Sequence, residues 1–141
     1  WRVPFEPGTL KAVSRKDGKV MKTAEIKTAG APAKIILSAD RKIINADGKD
    51  LSFIQVKIVD KDGTMVPDAD NLVNFEISGE GFIAGVDNGS ETDHDSFKAS
   101  YRKAFNGLCL AVIQSKEKKG TITLTATSKG LQTASVEIQA K

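Results

Sequence analysis

The densest run of side chains able to do chemistry is Asp87-Asn88-Gly89-Ser90-Glu91-Thr92-Asp93-His94-Asp95, with four acids and a histidine. Clustered oxygens of this kind are what a hard cation such as Ca²⁺ seeks. The run is not an EF-hand loop, because neither an internal glycine nor a distal glutamate falls at the required position. Loops of this composition are commonly solvated and empty, so no metal ligand is assigned. His94 is the only histidine and Cys109 the only cysteine. Zinc sites built on several histidines or cysteines, and any intrachain disulfide, are thereby excluded. Cys109 sits in the apolar run Leu108-Cys109-Leu110-Ala111-Val112-Ile113, the setting of a small buried hydrophobe. A reactive thiol would need a base beside it, and His94 belongs to a polar, acidic stretch.

Other catalytic equipment is missing as well. The stretch Ile77-Ser78-Gly79-Glu80-Gly81 is the nearest approach to a nucleophile elbow and has the wrong spacing. Gly79, Gly81 and Gly85 do not make a phosphate-binding fingerprint, and no helical pattern follows them. Paired carboxylates could hydrolyse a glycosidic bond, but Asp17, Asp47 and Asp62 each precede a glycine and are explained as turn residues. No catalytic, cofactor-binding or metal-binding residue is therefore named, and no cofactor is expected.

The charge pattern argues against nucleic acid. Net charge is +3, yet 17 of the 21 basic residues are lysines, scattered singly through alternating runs. An acidic middle, with one lysine and nine acids over residues 61–95, separates two basic ends. A nucleic-acid surface would concentrate arginine and aromatic residues on one patch. Aromatics are few, with six Phe, one Trp and one Tyr. Phe53, Phe75, Phe82 and Phe105 lie in apolar contexts that suit a core. Trp1, Phe5, Phe97 and Tyr101 remain as candidates for stacking on a sugar. No apolar run approaches the ~20 residues of a spanning helix, so no membrane contact is expected.

The elements that must position these residues are strands. Val, Ile and Thr together make 32 of the 141 residues, the enrichment expected on pleated surfaces. Apolar residues alternate: Ile54, Val56 and Ile58; Val73, Phe75 and Ile77; Ile122, Leu124 and Ala126 against four threonines; Ala134, Val136 and Ile138. Ser96–Ala104 is ambiguous between a strand and one helical turn. Asp17-Gly18, Asp47-Gly48, Asp62-Gly63, Asn88-Gly89 and Asn106-Gly107 punctuate the runs with tight-turn chemistry. The pattern predicts an all-β, Ig-like antiparallel sandwich, without the disulfide and core tryptophan of antibody domains.

A seam falls at Thr28-Ala29-Gly30-Ala31-Pro32. Residues 1–30 hold one hairpin, Leu10–Arg15 with Lys19–Lys27, turned at Lys16-Asp17-Gly18-Lys19. A lone hairpin is marginal in water, so it must pack on this domain, on a neighbouring one, or on a second copy. Residues 31–141 supply about 110 residues, enough for one sandwich of eight or nine strands. Without an initiator Met or a leader-like start, the chain reads as a piece of a longer protein.

Longer motifs carry a family resemblance. Val3-Pro4-Phe5-Glu6-Pro7-Gly8-Thr9-Leu10-Lys11-Ala12-Val13, followed by the Lys-Asp-Gly-Lys turn, resembles the closing hairpin of an Ig-like domain in bacterial glycoside hydrolase family 2 enzymes of the β-galactosidase type. Ala84-Gly85-Val86-Asp87-Asn88-Gly89, Phe97-Lys98 and Arg102-Lys103-Ala104-Phe105-Asn106-Gly107-Leu108-Cys109-Leu110 resemble the next domain of those enzymes. Lys57–Pro67 fits that domain and also bacterial invasin-like Ig repeats. The resemblance implies a parent enzyme whose catalytic glutamates lie upstream in a TIM barrel; no position here matches their motifs. It implies a non-catalytic C-terminal accessory module serving as a spacer, a domain-packing element or an oligomer contact, whose partners are the other domains of the glycosidase, in a secreted or periplasmic enzyme. Two further readings stand beside it: a carbohydrate-binding module with weak affinity for a glycan, and a repeat of a surface adhesin.

Overall fold

The computed structural model describes residues 2–141. Eleven strands follow in order: β1 (Thr9–Lys16), β2 (Lys19–Lys27), β3 (Lys34–Ala39), β4 (Ile43–Ile44), β5 (Leu51–Val59), β6 (Leu72–Gly79), β7 (Gly81–Asp87), β8 (Tyr101–Lys103), β9 (Leu108–Ser115), β10 (Gly120–Thr127) and β11 (Ala134–Ala140). Strands β3 to β11 form two sheets, ordered β4-β11-β10-β6-β8 and β3-β5-β9-β7. Every pairing is antiparallel except β11 with β4. The all-β sandwich expected from alternation is the fold observed.

Alternation decides which side chains meet between the sheets. Ile54, Val56 and Ile58 of β5, Ala111 and Ile113 of β9, Ile122, Leu124 and Ala126 of β10 and Ile138 of β11 are wholly buried. Val73 and Phe75 of β6 and Val86 of β7 complete the layer. Burying one such aliphatic side chain contributes about 1.5–3 kcal/mol, so these facing rows are the main source of stability.

The turns obey their local chemistry. Asp17 and Gly18 both have positive φ, 50° and 73°, as a two-residue hairpin turn requires. Asn106 and Gly107 repeat this at 51° and 77°. At Gly107 a side chain is also excluded by space, because a Cβ would lie 2.3 Å from the Val66 carbonyl oxygen. Ser96–Ala104 resolves into a turn followed by the short strand β8.

The expectation for the phenylalanines needs correcting. Phe75 is buried, but Phe53, Phe82 and Phe105 are each more than 40% exposed. Phe53 precedes Ile54, so a strand that turns Ile54 inward must turn Phe53 outward. Phe82 follows Gly81, an inward position so close to Ile122 that a Cβ would meet that side chain at 2.7 Å. Phe105 stands beside the Asn106-Gly107 turn, opposite Leu108.

The hairpin β1–β2 pairs with neither sheet, and every residue of both strands is exposed. Its register places Leu10 opposite Ile26 and Ala12 opposite Ala24 on one face. The other face carries Lys11 opposite Glu25, an ion pair at 2.9 Å. Past the hairpin the chain is tied down at Gly30, whose N–H donates to Asp60 Oδ2 at 2.8 Å.

Candidate functional site

The acidic stretch is organised around an arginine that the sequence reading did not single out. Arg102 occupies an inward position of β8, opposite Val73, and is 1% exposed. Its Nη1 lies 3.1 Å from Asp93 Oδ1. Its Nη2 donates to the carbonyls of Ser96 at 2.8 Å, Asp95 at 3.2 Å and Val86 at 3.2 Å. The guanidinium carbon sits 5.5 Å from the Phe97 ring centroid, within cation–π range. Because Val86 belongs to the four-stranded sheet and Arg102 to the five-stranded one, this side chain joins the sheets and the intervening loop.

Asp87, Asn88 and Asp93 serve the same closure. Asp87 Oδ1 accepts from the N–H groups of Asn88 and Gly89 at 2.7 and 3.2 Å, shaping the turn. Asn88 Nδ2 donates to Asp93 Oδ2 at 2.6 Å and to the Lys103 carbonyl at 3.1 Å. Asp93 Oδ1 also accepts from the Asp95 N–H at 2.9 Å. That backbone bond first, then Arg102 and Asn88, hold the Asp93 carboxyl below its ordinary range, against the opposing effect of burial. The cation gathered by this stretch is thus a guanidinium of the same chain. Among the described residues no three His, Cys, Asp or Glu side chains converge as a metal site.

Cys109 and His94 stay apart in character. Cys109 is buried in β9, and burial pushes its thiol up to about 12; it is protonated and inert at neutral pH. His94 is exposed in the loop. Of the proposed sugar platforms, Phe97 stacks on Arg102, Tyr101 is partly exposed on β8, and Phe5 is exposed. Trp1 lies outside the described residues.

The two outer sheet faces differ sharply. Thr121, Thr123 and Thr125 stand opposite Gln139, Glu137 and Ser135 on the five-stranded sheet. On the four-stranded sheet, Phe53 stands opposite Val112, Gln55 opposite Leu110, and Phe82 opposite Gln114. Next to them a depression of about 230 Å³ lies between Gln55, Leu108, Leu110 and the Asp87-Asn88-Gly89 turn.

Residues 35–137 match the glycoside hydrolase family 2 C-terminal domain 5. The chain belongs to that family. The match runs from β3 into β11 and includes the whole Arg102 loop. The chain is 55% identical over its full length to a β-galactosidase of Bacteroides ovatus, BoGH2A, of which it covers 17%. It superposes over its full length on a glycosyl hydrolase family 2 member from Bacteroides cellulosilyticus, with TM-score 0.94 and 43% identity, covering 18% of that chain. A β-glycosidase from Bacteroides vulgatus gives TM-score 0.93 and 33% identity over 99% of this chain. The family 2 chain described here therefore spans less than a fifth of the length of these relatives. Its resemblance through the Ala84–Gly89 and Arg102–Leu110 motifs is thereby borne out, and those motifs are the two sides of the Arg102 closure.

Proposed function

We propose that this chain is a non-catalytic accessory module of a family 2, β-galactosidase-like glycosidase and acts through contacts with the other domains of that enzyme. The observation that carries the reading is the hairpin β1–β2. It is exposed on both faces, yet one face is apolar through Leu10, Ala12, Ala24 and Ile26. Such a hairpin does not hold itself together by burial; it fits as the closing hairpin of a preceding Ig-like domain, with residues 31–141 as the next domain. On this reading chemistry on substrate belongs to other parts of the enzyme; here the one thiol is buried and protonated, the one histidine is exposed, and Asp47, Asp60, Asp87 and Asp93 are engaged in hydrogen bonds within their own loops. The parent enzyme is assigned to the cell exterior or the periplasm, where external glycans are met.

Removing residues 1–27 tests this. The shortened chain should keep the melting temperature of the 141-residue chain, because Gly30 and Asp60 remain. In the intact parent enzyme, amides of β1 and β2 should exchange far more slowly than in the 141-residue chain. A sandwich that melts much earlier without its hairpin would show that the hairpin belongs to this domain instead.

A further inference from the structure

We propose that the outer face of the four-stranded sheet is an interdomain contact, seated against an apolar surface of another domain of the same longer polypeptide. The proposal rests on the accessory-module reading and names the face that does the packing.

Strand order gathers the patch from distant parts of the sequence. Phe53 on β5 and Phe82 on β7 flank the central strand β9, with Phe53 opposite Val112, Phe82 opposite Gln114, and Leu110 next along β9 opposite Gln55. Ile36 on β3, opposite Lys57, is a further exposed apolar residue of the same face, set apart from the phenylalanines by Gln55 and Lys57. Phe53 and Phe82 are each 43% exposed and Ile36 40%. With aromatic side chains of about 200 Å², each phenylalanine leaves roughly 85 Å² in water. The whole patch then comes to roughly 300–400 Å², in the range of functional apolar patches on single domains.

That area selects the occupant. A stable complex between separate proteins covers about 800 Å² on each partner, so a second copy would be under-supported here. Contacts between domains of one chain are about 600–1,500 Å² in total, and this patch, counted on both sides of a contact, reaches the lower end of that range. Tethering raises the effective concentration to about the millimolar range, so a modest apolar contact suffices. The homologous relatives supply the tether, since this module makes up only 17–18% of their chains. The neighbouring polar residues, Gln55, Lys57 and Asp87, suit the rim of such a contact.

Thiol labelling distinguishes the outcomes. Gln55→Cys places a reporter on the apolar face, Glu137→Cys one on the threonine face, and Ala24→Cys one on the apolar hairpin face. Cys109 is buried and contributes little background. Maleimide labelling rates are compared between the 141-residue chain and the intact parent enzyme. The expected result is at least tenfold slower labelling of Gln55→Cys in the parent, with Glu137→Cys unchanged. Equal rates for Gln55→Cys in both would overturn the proposal. Protection of Glu137→Cys instead would also overturn it, while leaving the accessory-module reading intact. Gln55→Cys labelling that slows as the 141-residue chain is concentrated would assign the face to a second copy. Slowing of that same chain only on adding a galactoside oligosaccharide would assign it to a glycan; both results refute the interdomain contact. Should Ala24→Cys also stay fully reactive in the parent, the broader reading fails independently.

Discussion

The two outer faces of the sandwich obey one strand rule and end in opposite chemistry. Along β10 and β11 of the five-stranded sheet the outward positions are polar: Thr125 Oγ1 lies 3.0 Å from Ser135 Oγ, and Gln139 Nε2 donates to Thr121 Oγ1 at 3.1 Å, while the exposed apolar residues Ile43, Leu72 and Tyr101 stand apart from this row on β4, β6 and β8. Such a row is at ease in water. On the four-stranded sheet the corresponding positions hold Phe53, Leu110, Val112 and Phe82. Folding needs only the two inner faces to be apolar. Folding thus leaves both outer faces free to vary, and the apolar row on one of them is the feature that the proposed interdomain contact accounts for.

The largest expected effect sets inner against outer on a single strand. Ile54→Ala opens a cavity in the fully buried layer and should cost about 4 kcal/mol in chemical denaturation, whether in the 141-residue chain or in the parent enzyme. Phe53→Ala, one residue earlier, should cost about 0.5 kcal/mol in the 141-residue chain and clearly more in the parent. Equal losses at Phe53 in both settings would erase the distinction between the faces.

Next in size is the polar link between the sheets. Arg102→Met removes the guanidinium, its hydrogen bonds to the Val86, Asp95 and Ser96 carbonyls and its ion pair with Asp93. The expected loss is about 3 kcal/mol, accompanied by faster exchange of the Val86 amide, which now donates to the Phe97 carbonyl at 2.8 Å. A variant as stable as the unsubstituted 141-residue chain would mean that the loop closes on the apolar core alone.

These sites also mark where the sequence was legible. The inner face was readable because a period of two needs only one strand at a time, as in Ile122, Leu124 and Ala126. The Asp17-Gly18 hairpin was readable because its turn is local. The apolar outer face was not, for two reasons. At Phe53 residue type points inward while alternation, with Ile54 fixing the phase, points outward, and alternation prevails. And Phe82 joins Phe53 only through the order β3-β5-β9-β7, with a register shift between Ile83 and Gly85. Arg102 was hidden because its burial depends on a loop closing from residues 86–97. A signal existed in its inward phase between Tyr101 and Lys103, and in the scarcity of arginine, four against 17 lysines.

Acid should separate the sheets more gently. Both ends of β5 are held by carboxylates of lowered pKa. Asp60 accepts from the N–H groups of Gly30, Asp62 and Thr64, with the Gly30 bond the largest cause of its shift. At the other end Asp50 is lowered first by the Asn45 N–H and then by Arg41. Asp40 is lowered by bonds from Phe53 and Arg41 N–H and from Ser52, which outweigh a burial effect of opposite sign. Lowered folded-state values mean that this stability is fully present above the ordinary aspartate value of 3.8 and is lost as pH falls below it through the folded values. Amides at the ends of β5 should then exchange before those of β10 and β11, which lack such caps. Simultaneous loss of protection in both sheets would show that the caps do not act locally.

The smallest effect bears most directly on the contrast between faces. Replacing Phe53 and Phe82 together by Ser should cost the 141-residue chain no more than about 1 kcal/mol, the sum of two changes at exposed positions. Replacing Thr123 and Thr125 together by Val should change it by less, since valine suits a strand as well as threonine. Surface hydrophobicity, read with a fluorescent apolar dye, should move in opposite directions: down for the serine pair and up for the valine pair. In the parent enzyme the dye difference for the serine pair should vanish, because the face is already covered there. If the serine pair lowers dye binding equally in the parent, the face is open in the assembled enzyme. The apolar residues would then be a property of the sheet alone, and the two outer faces would differ without any neighbour to explain it.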